Sequence, residues 1–422
     1  MSTAGRYKHV VKLGEGTYGS VYKGTEIQTG KVVAFKRMVV TSDDEGVPGA
    51  AIREICLLKE LRHDNVVDLF EVLFEPPKIT MIFELCDCDL KRFMESRPKR
   101  LLDAEAEMRP ILKQIFIGLE YLHSRSVVHR DMKPQNIFVN VRAPDFAALT
   151  ASPSSRQDHL QPPPFSGVPT AVGGDVQSAA GSDGRPNPFA GADSLIVKIG
   201  DFGLARVEEI PVKKYSHEVV TLWYRSPDVL MGSALYSYPV DIWSMGAIFF
   251  EMATSKVLFS GRHEDEQLLR MFWLLGSPTR ETWPSMLSYP GAMERLERAS
   301  RAAAERPDLR FGSERFYHSL KAIQQREESA RSSSNTYQLP VELWFDRPLF
   351  GEYMSATGFD SCVTAEGVNL LRQCLLYEPN HRITAAAAVR HAYLHAVSVP
   401  TAGALDVLMT SLLQTMEACH LL

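Results

Sequence analysis

The sequence predicts an α+β fold, strand-rich at its start and helix-rich afterwards, on three observations. From Tyr7 to Phe35, short segments of strand character are broken by glycines, and Ile79-Thr-Met-Ile-Phe83 adds an apolar strand. Glu45 to Leu61 carries apolar residues at helical spacing. Met108 to His123 is a longer apolar-rich helical stretch. Strands gathered in one part of the chain and helices in another define this class.

Composition bounds the chemistry. The 422 residues are 45% hydrophobic and 23% charged, an ordinary composition able to bury a substantial interior. A formal net charge of -5, a pI near 6.2 and the absence of basic blocks exclude a general binder of nucleic acid or membrane surfaces. Proteins and small ligands are the expected partners. Cys56, Cys86, Cys88, Cys362, Cys374 and Cys419 lie too far apart for a disulfide framework, and Cys86-Asp-Cys88 lacks the second pair that a zinc site needs. Reduced thiols in the cytosol or nucleus are expected. Met1-Ser-Thr-Ala-Gly-Arg-Tyr7 has no apolar signal region, and no apolar run approaches the roughly twenty residues that cross a bilayer. Neither secretion nor a membrane span is expected.

The first element is a hairpin, Leu13-Gly-Glu-Gly-Thr-Tyr-Gly-Ser-Val-Tyr22. Gly14, Gly16 and Gly19 remove side chains where a backbone closes over phosphates, and Val21 is placed to cap an adenine ring. A lone GxGxxG also marks dinucleotide sites, but those put a helix directly after the glycines. Here a second strand follows, ending Val33-Ala-Phe-Lys36.

In the Glu45–Leu61 helix, Pro48 falls near the first turn, where a missing N–H costs little. At about 100° per residue, Leu57, Leu58 and Leu61 lie within about 60° of Glu54, while Ile52 and Cys56 lie about 160° away on either side. One apolar face therefore carries Glu54 towards Lys36. Periodicity alone leaves the opposite face open to two readings, covered internally or offered to a partner.

The Met108–His123 helix delivers Val127-Val-His-Arg-Asp-Met-Lys-Pro-Gln-Asn136. This stretch sets an acid, a cation and an amide, Asp131, Lys133 and Asn136, within six positions, with Pro134 stiffening the backbone between them. Phosphoryl transfer needs that set: a carboxylate to take a hydroxyl proton, a positive charge on the moving group and an oxygen ligand for magnesium. His129 reads as a buried structural histidine. After a short strand comes Lys198-Ile-Gly-Asp-Phe-Gly-Leu-Ala-Arg206, offering a second acid, Asp201.

Glycine loop, strand lysine, helix glutamate, HRDxKxxN and DFG occur in an order that resembles the protein kinases. Pro48-Gly-Ala-Ala-Ile-Arg-Glu54 is similar to the cyclin-binding PSTAIRE helix of the cyclin-dependent kinases, with Gly49-Ala50 in place of Ser-Thr. Losing that hydroxyl removes a cap worth about 1 kcal/mol of helix stability. The resemblance implies a bilobal protein kinase fold: a small β-rich N-lobe with one key helix over about 7–85, and a larger, mainly α-helical C-lobe over about 86–396. Residues 1–6 are then an N-terminal tail and 397–422 a C-terminal helical extension, with Leu405, Leu408, Leu412, Met416 and Cys419 at helical spacing.

The resemblance also assigns roles. Lys36 holds the ATP phosphates and pairs with Glu54, a pairing completed in that family when a cyclin binds the helix's outer face, here Ile52 and Cys56. Asp131 is the base, Lys133 steadies the γ-phosphate, and Asn136 and Asp201 bind Mg2+. Leu13, Gly14, Glu15, Gly16, Thr17, Tyr18, Gly19, Val21 and Ala34 surround ATP from the N-lobe. Phe83 is the gatekeeper, Glu84 and Cys86 form the hinge, and Asp89 lies near the ribose, although an N-cap before Leu90 is an equal use of that residue. Thr17 and Tyr18 match the family's inhibitory phosphorylation pair. Ser216 is the activating position, served by Arg53, Arg130 and Arg206. Val219, Val220, Thr221 and Arg225 contact substrate, in a pocket that favours Ser-Pro and Thr-Pro because proline has no N–H to leave unsatisfied. Serine at 216, followed by Trp223-Tyr-Arg-Ser-Pro-Asp-Val-Leu-Met-Gly232, is similar to the neuronal and phosphate-signalling branch, whose members can act without that phosphate. Asp228 replaces the usual glutamate of the APE motif, and a weakened buried pair with Arg382 is expected.

Two stretches depart from the resemblance. About 141–194 is rich in Pro, Ala, Ser and Gly and reads as a disordered insertion. About 290–338 begins with the charged helical run Met293–Arg306 and enlarges a region where family members dock small adaptor proteins.

Overall fold

The computed structural model describes residues 5–16, 19–39, 49–141, 195–207, 222–233, 237–305 and 349–399. Thr17, Tyr18, Ser216, Val219, Val220, Thr221, nearly all of the first insertion, most of the second and the Leu405–Cys419 segment lie outside these residues.

Strands β1 (Tyr7–Gly16), β2 (Gly19–Glu26), β3 (Val32–Val39), β4 (Leu69–Glu75) and β5 (Lys78–Glu84) form one antiparallel sheet in the order β1-β2-β3-β5-β4. The pleat sorts β3 by alternation. Val33 and Phe35 pack with Tyr7 and Ile82 in a small cluster, which sends Ala34 and Lys36 to the opposite face. Gly19 has a positive φ of 150°, and a Cβ there would stand 2.1 Å from the Arg37 carbonyl oxygen, so only glycine lets β2 leave the turn this close to β3.

Helix α1 (Gly49–Glu60) follows β3 in the chain and buries Ala51, Glu54 and Leu58. Helix α2 (Leu90–Glu95) is capped by Asp89, whose carboxylate accepts from the Arg92 amide at 2.9 Å. Helix α3 (Arg109–Ser124) has Pro110 in its first turn and buries Ile111, Ile115, Phe116, Leu119 and Leu122. It starts one residue later than its apolar period suggests, because Ala104–Met108 forms a wider π-type turn that buries Met108.

Two small antiparallel pairings carry the central loops. Strand β7 (Val127–Val128) pairs with β10 (Arg206–Val207), and β8 (Ile137–Val141) lies between β6 (Cys88–Asp89) and β9 (Leu195–Ile199). The remainder is helical: α4 (Pro239–Thr254), α5 (Glu264–Leu275), α6 (Ala292–Glu305), α7 (Phe350–Thr357) and α8 (Ala365–Cys374). Helix α4 is buried from Val240 to Thr254, because apolar residues occur all round it and its acids, Asp241 and Glu251, are hydrogen-bonded inside the protein, the pattern of a central helix. Helix α6 opens the second expansion and packs along α5.

The expected weak pair between Asp228 and Arg382 is closed at 2.5 Å, with both side chains buried. Arg382 also donates to the carbonyls of Leu376, Pro239 and Tyr377, so each of its three nitrogens has a partner. Among the described residues no helix is long and apolar enough to cross a membrane.

Candidate active site

Lys36 enters the cleft because the β3 alternation points it away from the Phe35 cluster. Glu54 meets it from the buried face of α1, accepting from Nζ at 3.0 and 2.7 Å through its two oxygens. Asp201 Oδ1 accepts from the same Nζ at 3.1 Å. Burial pushes the lysine down, but the two carboxylates outweigh it and its pKa lies above the ordinary value. Burial, aided by Asp201, pushes Glu54 up. At Asp201 burial also raises the pKa, yet Lys36 prevails and the carboxyl lies below the usual range. Asp201 sits at φ 60°, ψ 71°, a left-handed conformation uncommon outside glycine, held between β9 and the turn at Phe202–Leu204.

The stretch expected to be catalytic runs from β7 to β8. Lys133 Nζ donates to Asp131 Oδ2 at 2.7 Å, and Asn136 Nδ2 donates to the same oxygen at 2.9 Å and to the Asp131 carbonyl at 2.8 Å. Asp131 Oδ1 is buried and takes no hydrogen bond among the described residues. Such an atom costs free energy to leave unmet, so it is open to an incoming donor. The Gly200 amide donates to the Asn136 carbonyl at 2.9 Å, which places Asp201 beside this loop.

The loop is held from below. The fully buried Asp241, at the start of α4, accepts from the His129 amide at 2.9 Å, the Arg130 amide at 2.7 Å and the His123 ring at 3.0 Å. Burial pushes its carboxyl up, but His123 and the loop contacts more than reverse this and leave it below the usual range. The bonds also hold Arg130 at φ 72°. His129, wholly buried, receives the Asp131 amide on Nδ1 at 3.3 Å and bonds the Gly200 carbonyl through Nε2 at 2.9 Å. It ties the loop to Gly200. Sequence reasoning missed Asp241 and His123. Nothing local in the sequence marks them: Asp241 is one of two acids in its helix, and the groups it binds lie more than a hundred positions away.

Most of the residues expected around ATP gather on the sheet. Gly14 pairs with Val21, Glu15 with Ser20 and Gly16 with Gly19 across β1 and β2. Val21 lies opposite Lys36, and Ala34 opposite the buried Phe83. Leu13 is exposed at the mouth. Glu84 turns its carboxylate to Lys198 at 2.8 Å and to the Asp68 amide at 2.8 Å, so its side chain is spent within the protein. Burial, and then Glu84, push the Cys86 thiol up to about 12, which keeps it protonated and unreactive. Asp89 acts as the α2 cap.

Three arginines expected to act together come from separate elements. Arg206 opens β10 opposite Val128, two residues before Arg130, and Arg53 donates from α1 to the Gly203 carbonyl at 2.8 Å. Arg225 pairs with Glu264 at 3.0 Å. On the outside of α1, Ile52 is 50% exposed and Cys56 is exposed, so the second apolar face is left uncovered by the described residues.

The donor set suits magnesium. Asn136 spends its side-chain nitrogen on Asp131, leaving its side-chain oxygen Oδ1 without a hydrogen bond among the described residues, and one Asp201 oxygen is likewise unspent on Lys36. An amide oxygen and a carboxylate, completed by phosphate oxygens and water, form the hard-oxygen shell this ion prefers.

Comparison with known proteins places this geometry. The sequence matches the protein kinase domain family over residues 7–160 and 187–394. It is 69% identical to the "Cyclin-dependent kinase 2 homolog" of Crithidia fasciculata, across the full length of both chains. It is 35% identical to the "Cell division control protein 2 homolog 1" of Trypanosoma brucei brucei, covering 92% of this chain and 97% of that one.

Proposed function

Since the chain belongs to the protein kinase family, and within it to the cyclin-dependent kinases, we propose that it transfers the γ-phosphoryl group of Mg-ATP to serine and threonine hydroxyls followed by proline. A cyclin-like subunit bound on the Ile52 and Cys56 face of α1 regulates it. The observation that carries this reading is the pairing of one lysine, shared by Glu54 and Asp201, with a buried, unmet Asp131 Oδ1 beside Lys133 and Asn136.

Lys36, kept charged by its two carboxylates, holds the α- and β-phosphates below the glycine loop. Asp131 receives the substrate hydroxyl proton on Oδ1 as the hydroxyl oxygen bonds to the γ-phosphorus and the bond to the β-bridging oxygen breaks, leaving ADP. Lys133, 2.7 Å from Asp131 Oδ2, supplies positive charge beside the phosphoryl group in transit. Asn136 and Asp201 would hold magnesium, which neutralises phosphate charge when bound. Asp241 fixes the loop so that these groups need not reorganise during the reaction.

Val219, Val220, Thr221 and Arg225 select proline after the target residue. Phosphate on Ser216 is read by Arg53, Arg130 and Arg206, and phosphate on Thr17 or Tyr18 repels ATP. The enzyme works in the cytosol, the nucleus or both.

One observation favours a second reading, a proline-directed kinase that needs no cyclin: the Lys36–Glu54 pair is closed within this chain, and Arg53 ties α1 to Gly203. Purified chain, alone and with a panel of cyclins, is assayed with Mg-ATP on a Ser-Pro peptide. Activity that rises at least about tenfold with one cyclin supports regulation. Full activity alone supports the second reading, and no phosphorylation under any condition contradicts both.

A further inference from the structure

The expected hinge has to stay out of every strand. A backbone N–H given to a ligand cannot also serve a ladder, because each residue carries only one. Leu85, Cys86 and Asp87 accordingly lie between β5, which ends at Glu84, and β6, which begins at Cys88, and belong to no helix or strand. The entry to this segment is fixed by the sheet. Glu84 pairs with Val33, its amide donates to the Asp68 carbonyl at 3.1 Å, and its carboxylate accepts from the Asp68 amide. The exit is fixed by one side chain. Asn140 Oδ1, near the end of β8, accepts from the Asp87 amide at 3.0 Å, and the same side chain bonds the Cys86 thiol. In return, Asp87 Oδ2 accepts from the Val141 amide at 2.8 Å. Strand β8 is also the strand that follows Asn136, and it pairs with β9, which leads into Asp201. Its start therefore adjoins the two expected magnesium ligands, and its end holds the hinge.

We propose that Asn140 is a positioning residue for the adenine base, holding Cys86 and Asp87 in place before the nucleotide arrives; this deepens, and rests on, the reading above that the chain takes Mg-ATP at this hinge. A short segment outside any ladder would otherwise be ordered by the ligand, and ordering a loop on binding subtracts from affinity. Asn140 suits the task because its amide offers an acceptor and donors at once, so one short side chain meets both the Asp87 N–H and the Cys86 sulfur. The pairing of β6 with β8, Cys88 with Val139 and Asp89 with Phe138, begins only after the hinge and does not replace these bonds. The phosphate end is held separately. Lys36 bonds Glu54 and Asp201, and Asn136 bonds Asp131. Loss of the Asn140 side chain is therefore felt by the base and not by the phosphates.

The test measures equilibrium binding of three probes to the full chain: Mg-ATP, adenosine, and inorganic triphosphate with magnesium. Asn140→Ala is expected to raise Kd for ATP and for adenosine by a common factor of about five, the effect of one net hydrogen bond, and to leave Kd for triphosphate unchanged. In a peptide assay, with cyclin if one is required, the same substitution is expected to raise KM for ATP and leave KM for the peptide unchanged. Should Asn140→Ala fail to fold, Asn140→Leu, close in shape and without polar atoms, is read by the same comparison. Asn369→Ala removes a distant side chain that bonds Gln373 and His391, and is expected to leave all three affinities unchanged. Wild-type affinity for ATP and adenosine in Asn140→Ala or Asn140→Leu overturns the proposal alone. So does an equal loss for triphosphate, which makes the side chain merely structural. A wild-type chain that binds neither ATP nor adenosine overturns the nucleotide reading and this proposal with it.

Discussion

Asp131 and Asp241 are two buried carboxylates joined by one short loop, and their surroundings give them different duties. Asp131 keeps one oxygen unmet, whereas Asp241 gives both of its oxygens to hydrogen bonds from His123 and the loop amides. An amide at 241 keeps one acceptor and turns an NH2 group towards donors. Asp241→Asn is therefore expected to cost about 2 to 3 kcal/mol in urea unfolding, with activity falling as the loop loosens. The pH dependence follows from the depressed carboxyl of Asp241. A folded-state value below the unfolded one means its contribution is complete above about pH 4, the unfolded value, and is lost as pH falls through the folded value. Unfolding free energy measured from pH 5 downwards should decline more steeply in the wild type than in Asp241→Asn. Asp131, Lys133 and Asn136 were legible in the sequence because they are contiguous. Asp241 was not, because its partners lie more than a hundred positions away and nothing local distinguishes it from a surface acid at the start of a helix.

Helix α1 shows what periodicity supplies and where it stops. The spacing separates the Glu54 face from the Ile52 and Cys56 face, and the structure keeps that division, burying Glu54, Leu58 and Leu61 while Ile52 stands half exposed. Periodicity does not say whether a small lobe has enough apolar surface to cover both faces; that depends on how β4 and β5 lie. Two substitutions separate the faces. Leu58→Ala, in the core, should cost about 2 to 5 kcal/mol by urea unfolding. Ile52→Glu should change stability by no more than about 0.5 kcal/mol while abolishing activation by a cyclin in a titration. A large stability loss in Ile52→Glu would show that this face is structural.

Over the whole molecule, the two lobes meet where Lys36 from the sheet, Glu54 from α1, Asp201 after β9 and the Asp131 loop converge, and central helix α4 fixes the lower half. Order of motifs along the chain made this convergence readable. The cross-links that hold it were not, because Asp228 with Arg382 and Arg225 with Glu264 are set by packing of helices distant in sequence. A shortened acid at 228 suggested a loose pair, yet the surrounding chain closes on it at 2.5 Å. Asp228→Ala should then cost about 3 to 5 kcal/mol by leaving Arg382 buried without its counter-charge. Asp228→Glu, restoring the longer side chain, should also destabilise, by about 1 to 3 kcal/mol, since another methylene must be fitted into a closed contact. The same urea titration reads both.

The most direct measurement is single-turnover phosphorylation of a Ser-Pro peptide by wild type and Asp131→Asn, with ATP affinity determined in parallel. A buried oxygen that takes the hydroxyl proton predicts a loss of about 10² to 10⁴ in the rate of transfer, with ATP binding nearly unchanged. Equal rates in the two proteins would contradict it.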